Sequence, residues 1–155
     1  MNETQLPARI VCKLTYNGYP MSDLMVLFVF KTLRKNDYHI VAGPSDQEGH
    51  VVVEYDQIKK QANSQLESAL MDFVPIEKAF SGNYSANIMS CEDIISAISA
   101  YELFKSIGWY PENYIEHLKK ALHALSSNNC ATENVKVEIL DVQPLEEQEH
   151  RNIDV

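Results

Sequence analysis

At 155 residues, 45% hydrophobic and 23% charged, the chain has the size and make-up of one globular domain, and the disordered and fibrous classes are excluded. The apolar run Leu24-Met25-Val26-Leu27-Phe28-Val29-Phe30 is far short of the ~20 residues a membrane-spanning helix needs. A net charge of −9 argues against nucleic acid and anionic membranes as partners and favours basic ones.

Strand signals fill the first third. Arg9 to Tyr16 alternates apolar and polar residues and stops at Asn17-Gly18, a dipeptide that tolerates positive φ. After Tyr19-Pro20, the run Leu24 to Phe30 reads as a central strand covered on both faces. Tyr38 to Ala42 and His50 to Tyr55 are rich in β-branched residues, and the turn-forming stretch Gly43 to Gly49 between them predicts an antiparallel pair joined by a wide loop.

Helical spacing then takes over. Ile58, Ala62, Leu66, Ala69 and Leu70 recur on one face from Gln57 to Leu70, with Asp56 placed to cap. Pro75 prevents continuation, and a loop or edge strand is expected after it. Gly82 to Met89 alternates as a fifth strand. Ser90 and Asp93 form a capping box for a helix whose apolar face is Ile94, Ala97, Ile98, Tyr101, Phe104 and Ile107, ended by Gly108. Pro111 is placed as the first residue of the next helix, in which Tyr114, Ile115, Leu118, Ala121, Leu122 and Leu125 share a stripe. The short link makes these two helices an antiparallel hairpin. Val135 to Val142 predicts a final strand. The domain is expected to span 1–143, with 144–155 an acidic, disordered tail.

No residue pattern supplies a catalytic motif, and neither a cofactor nor a metal is expected. Cys12, Cys91 and Cys130 are an odd number with no close pair, which predicts reduced thiols and, with no secretory pattern in residues 1–7, a cytoplasmic setting. His117 and His123 are too far around a helix to share a metal, whereas His39 and His50 flank the expected hairpin. No serine lies in a Gly-x-Ser-x-Gly elbow. Cys91, at a helix start, has Glu92 and Asp93 beside it, which oppose a thiolate. The acid pairs Asp46 with Glu48 and Glu54 with Asp56 read as solvated turns, and no glycine cluster cradles phosphate.

Leu14-Thr15-Tyr16-Asn17-Gly18-Tyr19-Pro20, then Leu24 to Phe30, then Pro44-Ser45-Asp46-Gln47-Glu48-Gly49-His50-Val51-Val52-Val53 resembles the transthyretin-like and carboxypeptidase-regulatory-like β-sandwich domains. Those families run strand, Gly-x-Pro turn, apolar strand, and a Thr-Asp-x-x-Gly turn into a further strand. The resemblance covers about 55 residues and implies an antiparallel sandwich. The helical hairpin is not part of that plan, and the Tyr-Arg-Gly-Ser segment of the hydroxyisourate-hydrolysing branch is missing, so no enzyme activity is carried over.

The expected fold is therefore α+β: an antiparallel, immunoglobulin- or transthyretin-like sandwich with a crossing helix and a helical hairpin. Residues 91–155 hold 12 acids against 5 bases, and residues 1–90 hold 10 against 8. That imbalance points to a non-catalytic module for a basic protein partner, an immunity protein against a basic toxin being one form. The expected contact residues are Trp109, Tyr110, Glu112, Glu116, Glu138 and Asp141, with aromatic anchors beside acids. A small hydrolase and a structural or adaptor subunit are the alternatives, and the oligomeric state is left open.

Overall fold

The period of two in a half-buried strand sets the first sheet. In β1 (Pro7–Tyr16) the side chains of Ile10, Cys12 and Leu14 are fully buried, while Arg9, Val11 and Lys13 alternate with them. Asn17 and Gly18, both at positive φ (52° and 86°), turn the chain tightly into β2 (Tyr19–Pro20), as that dipeptide predicts. β7 (Val135–Pro144) pairs along the whole of β1, so β2 and β5 (His50–Glu54) share its other edge, all antiparallel.

The second sheet is built on β3 (Val26–Thr32), flanked by β4 (Tyr38–Ala42) and β6 (Phe80–Ile88), again antiparallel. Val26, Phe28 and Phe30 face the core and are fully buried. Phe30 lies between Phe80 and Tyr84, with ring centroids 5.5 and 5.3 Å away. The apolar faces of both sheets belong to one buried cluster. It also holds Ile58 and Ala62 of α1 (Tyr55–Ser68), Ile76 of α2 (Ile76–Ala79), Ile94 of α3 (Cys91–Phe104) and Leu118, Ala121 and Leu125 of α4 (Tyr114–Ser126). The computed structural model describes residues 6–33, 37–68, 75–106 and 108–145, with side chains 64–68 left aside. Among them the fold is α+β, with two antiparallel sheets and four helices. No helix of the described residues is long and apolar enough to cross a membrane.

Several expectations need correction. β4 and β5 do not pair: β4 belongs to the sheet of β3 and β5 to that of β1, so 43–49 is a crossover between sheets and His39 and His50 do not face each other across a ladder. The crossover is fixed by Ser45, only 3% exposed. Its Oγ donates to the Met21 carbonyl (2.6 Å) and accepts from the Leu24 amide (3.1 Å). Asp46 Oδ1 accepts from the Glu48 and His50 amides, both at 2.9 Å. The His50 bond, first among these influences, holds the Asp46 carboxyl below its ordinary pKa.

Helix α1 begins at Tyr55, directly out of β5, which puts Asp56 in its first turn and not at its cap. The predicted end of that helix and Ile107 lie outside the described residues. Past Pro75, a one-turn helix (α2) leads into β6 where a loop or edge strand was expected. α4 starts at Tyr114, because Pro111 closes a turn by accepting the Tyr114 amide and Asn113 takes a left-handed conformation (φ 59°). β7 includes Pro144, one residue past the expected domain limit, and the tail 146–155 lies outside the described residues. The Ser90 capping box is present, with both bonds at 3.1 Å.

The largest correction concerns sulfur. Cys91 and Cys130 form a disulfide and Cys12 alone is free and buried, against the expected three reduced thiols. The bond joins the first residue of α3 to a residue just past the end of α4. Tyr101, late in α3, meets Tyr114 at the start of α4 (6.0 Å), so the two helices are antiparallel, as their short link predicts.

Candidate functional site: an aromatic-walled groove

Alternation along β3 and β4 puts Leu27, His39 and Val41 on the sheet face opposite Phe28 and Ile40. Helix α3 turns Asp93, Ser96, Ala97, Ala100 and Phe104 to the same space. Three of these five are small, and small side chains at a helix position over a sheet leave a gap where large ones would fill it. The result is a groove of about 570 Å³, within the range of small-ligand and side-chain pockets. Met89 and Gln61 of α1 also line it.

Gln61 is 8% exposed and binds the β4 edge with both ends of its carboxamide. Its Oε1 accepts from the Val41 amide (2.9 Å) and its Nε2 donates to the Val41 carbonyl (2.8 Å). The side chain thus takes the place of a neighbouring strand. Gln61→Leu is expected to cost about 2 kcal/mol in urea denaturation, because it leaves a buried amide and carbonyl without those partners; an unchanged midpoint would contradict that role.

The far wall is aromatic. Tyr110 packs against Tyr101 at 4.8 Å and Tyr114 at 5.2 Å, and the Lys60 ammonium lies 5.7 Å from the Trp109 ring centre, in cation–π range. Lys60 also pairs with Asp56 at 3.0 Å, one helical turn away. Trp109 and Tyr110, expected to stand out at a hairpin tip, are half-buried and line the groove. Burial, and then the neighbouring Tyr110, push the Tyr114 hydroxyl up to about 12. Because the folded pKa exceeds the unfolded one of about 10, this contribution to stability is intact below pH 10 and lost as pH rises from 10 to 12. Tyr114→Phe is expected to flatten that part of the stability profile, measured by denaturation at stepped alkaline pH.

The six expected contact residues fall into two groups. Trp109 and Tyr110 line the groove; Glu112 and Glu116, both exposed, follow in the turn and first turn of α4. Glu138 and Asp141 lie on β7, in register with Lys13 and Val11, on the other sheet and on the face away from its core. Sequence reasoning missed Leu27, Val41, Gln61, Ser96 and Ala100; the small residues Ser96, Ala97 and Ala100 in a helix otherwise rich in Ile and Leu were the available signal.

Asp93 is committed to capping α3 through the Ser90 amide. Burial pushes the Cys12 thiol up to about 11, far from a reactive thiolate. Among the described residues no group of three or more His, Cys, Asp or Glu side chains is placed to hold a metal ion. No family model, curated protein or solved structure matches this chain.

Proposed function

We propose that this chain is a non-catalytic protein-binding module that receives an apolar side chain of a basic partner in the groove. The observation that carries the reading is the groove itself, where Leu27 and Val41 of the sheet and the small Ser96, Ala97 and Ala100 of α3 leave room beside Trp109, Tyr110 and Tyr114. Rigid aromatics give large contact area for little entropy. Glu112 and Glu116, exposed beside that wall, and the net charge of −9 favour a cationic partner by steering. An immunity protein that neutralises a basic toxin is the form of this function that the charge suits best. The two sheets read as a transthyretin-like sandwich, supported by the Ser45 to Gly49 turn that leads into β5. A cytoplasmic setting, also proposed, has the Cys91–Cys130 bond against it, since reducing compartments keep thiols free.

The test uses the single tryptophan as reporter. A library of Lys/Arg-rich peptides, each with one central Leu, Phe or Trp, is screened at about 50 and 500 mM salt. Binding that changes Trp109 fluorescence in the peptides lacking Trp is expected, weaker at high salt, and calorimetric titration, which needs no tryptophan, is expected to show about 30-fold weaker binding in Trp109→Ala, as for an interface hot spot. No binding at low salt, or a Trp109→Ala variant that binds like the parent, sinks the reading.

A further inference from the structure

We propose that the Cys91–Cys130 disulfide is a redox switch for the groove, holding its walls when closed and loosening them when opened. The inference rests on the groove being the binding site and names how that site is regulated. Cys91 stands between Met89 and Asp93, and both of those residues line the groove. On this side the chain is also anchored by the Met89 amide, which donates to the Met25 carbonyl of the neighbouring sheet segment (2.9 Å), and by fully buried Ile94. Its bonded partner is differently placed. Cys130 is exposed and follows α4 in a loop where it and Asn129 both hold positive φ (56° and 58°).

The bond therefore ties a well-anchored segment of the groove lining to a surface loop, and α4 runs from the aromatic wall to that loop. Tyr114, at the other end of α4, packs on Tyr110 and Tyr101. With the tie cut, the α4 C-terminal end is free to open locally and the wall loses its pre-organisation, which weakens binding without any change in contact residues.

The chemistry is a two-electron exchange with a dithiol. A reductant thiolate attacks the exposed Cys130 Sγ, the S–S bond breaks, and Cys91 leaves as a thiolate that takes up a proton. The reductant's second thiol then displaces Cys130 from the mixed disulfide. The protein ends with two thiols and the reductant with one disulfide. Cys12, buried in the core, takes no part.

The experiment compares oxidised protein, protein reduced with dithiothreitol and Cys91→Ser/Cys130→Ser by amide hydrogen exchange and by titration with the tightest peptide of the basic library. The expected result is faster exchange in α3 and α4 with β1 and β3 still protected, and about tenfold weaker peptide binding, both restored by reoxidation of the reduced protein. Equal protection of α3 and α4 in the oxidised and reduced forms overturns the switch, as does loss of protection throughout both sheets, which makes the bond a requirement of the fold. If no peptide binds in either state, the groove reading fails separately, while the exchange pattern still decides whether reduction loosens the hairpin.

Discussion

Replacing Cys91 and Cys130 together with alanine is expected to lower the unfolding free energy by about 4 kcal/mol and the melting temperature by roughly 10 °C. The bond spans a sequence separation of 39. In the unfolded chain it closes a loop of that size and removes conformations that the reduced chain regains, which is where most of the effect lies in the chain-entropy view. The folded state keeps the packing of Ile94, Leu118 and Ala121, so the variant should remain folded with the usual margin of a domain this size. Urea denaturation of both proteins under oxidising conditions measures the difference. A change below about 1 kcal/mol would contradict a formed disulfide with this topology.

Gly49→Ala is expected to be the most damaging single-methyl change, at about 3 kcal/mol or more. Gly49 has φ +83°, and a Cβ there would fall 2.5 Å from the Leu14 carbonyl oxygen of β1, a backbone atom with no freedom to retreat. The same residue's carbonyl accepts from the Leu14 amide at 2.8 Å, so relieving the clash also pulls apart the junction of the crossover with the first sheet. Gly18 supplies the control. Its φ is +86°, yet nothing lies within 4 Å of its would-be Cβ, so Gly18→Ala should cost only the left-handed backbone penalty of roughly 1 kcal/mol. Equal costs at the two positions would show that backbone conformation, and not the close approach to Leu14, sets the price at Gly49.

Much of the scaffold was legible because it depends on local chemistry. The Asn17-Gly18 turn, the alternation around Ile10, Cys12 and Leu14, the apolar run through Phe28 and Phe30 and the Ser90–Asp93 capping box all act over a few residues, and each stands where the residues indicate. What escaped was non-local. The dense turn chemistry of Gly43 to Gly49 marks a reversal, but a hairpin and a crossover between sheets use the same residues; only the burial of Ser45 against Met21 and Leu24 decides between them. Cys91 and Cys130 come together because two helices of nearly equal length fold back on each other, a fact of tertiary geometry that spacing does not reveal. Pro111 is suited to a helix start, yet the Tyr114 stacking with Tyr101 and Tyr110 is reached by a turn placed before the helix.

The candidate site was legible in part for the same reason. Trp109 and Tyr110 stood out as aromatics at a helical link, but whether a link presents its rings to solvent or folds them onto the sheet depends on what faces it. Here Lys60 of α1 and the Leu27 and Val41 side of the second sheet do so. Glu138 and Asp141 were joined to that group on charge alone, and the pairing of β7 with β1 carries them to the opposite sheet. The exposed apolar residues Ile139, Leu140 and Val142 near them belong to an edge strand that carries a register shift between Val11 and Cys12 of its partner, a feature that discourages edge-to-edge pairing.

The most direct measurement is an amide and indole chemical-shift map of the protein titrated with the best basic peptide. The expected result is perturbation centred on Leu27, Val41, Ala97 and Ala100 and on the Trp109 indole, with the outer face of β1 and β7 unmoved. Shifts centred on Glu138 and Asp141 with the groove silent would contradict the groove as the binding site.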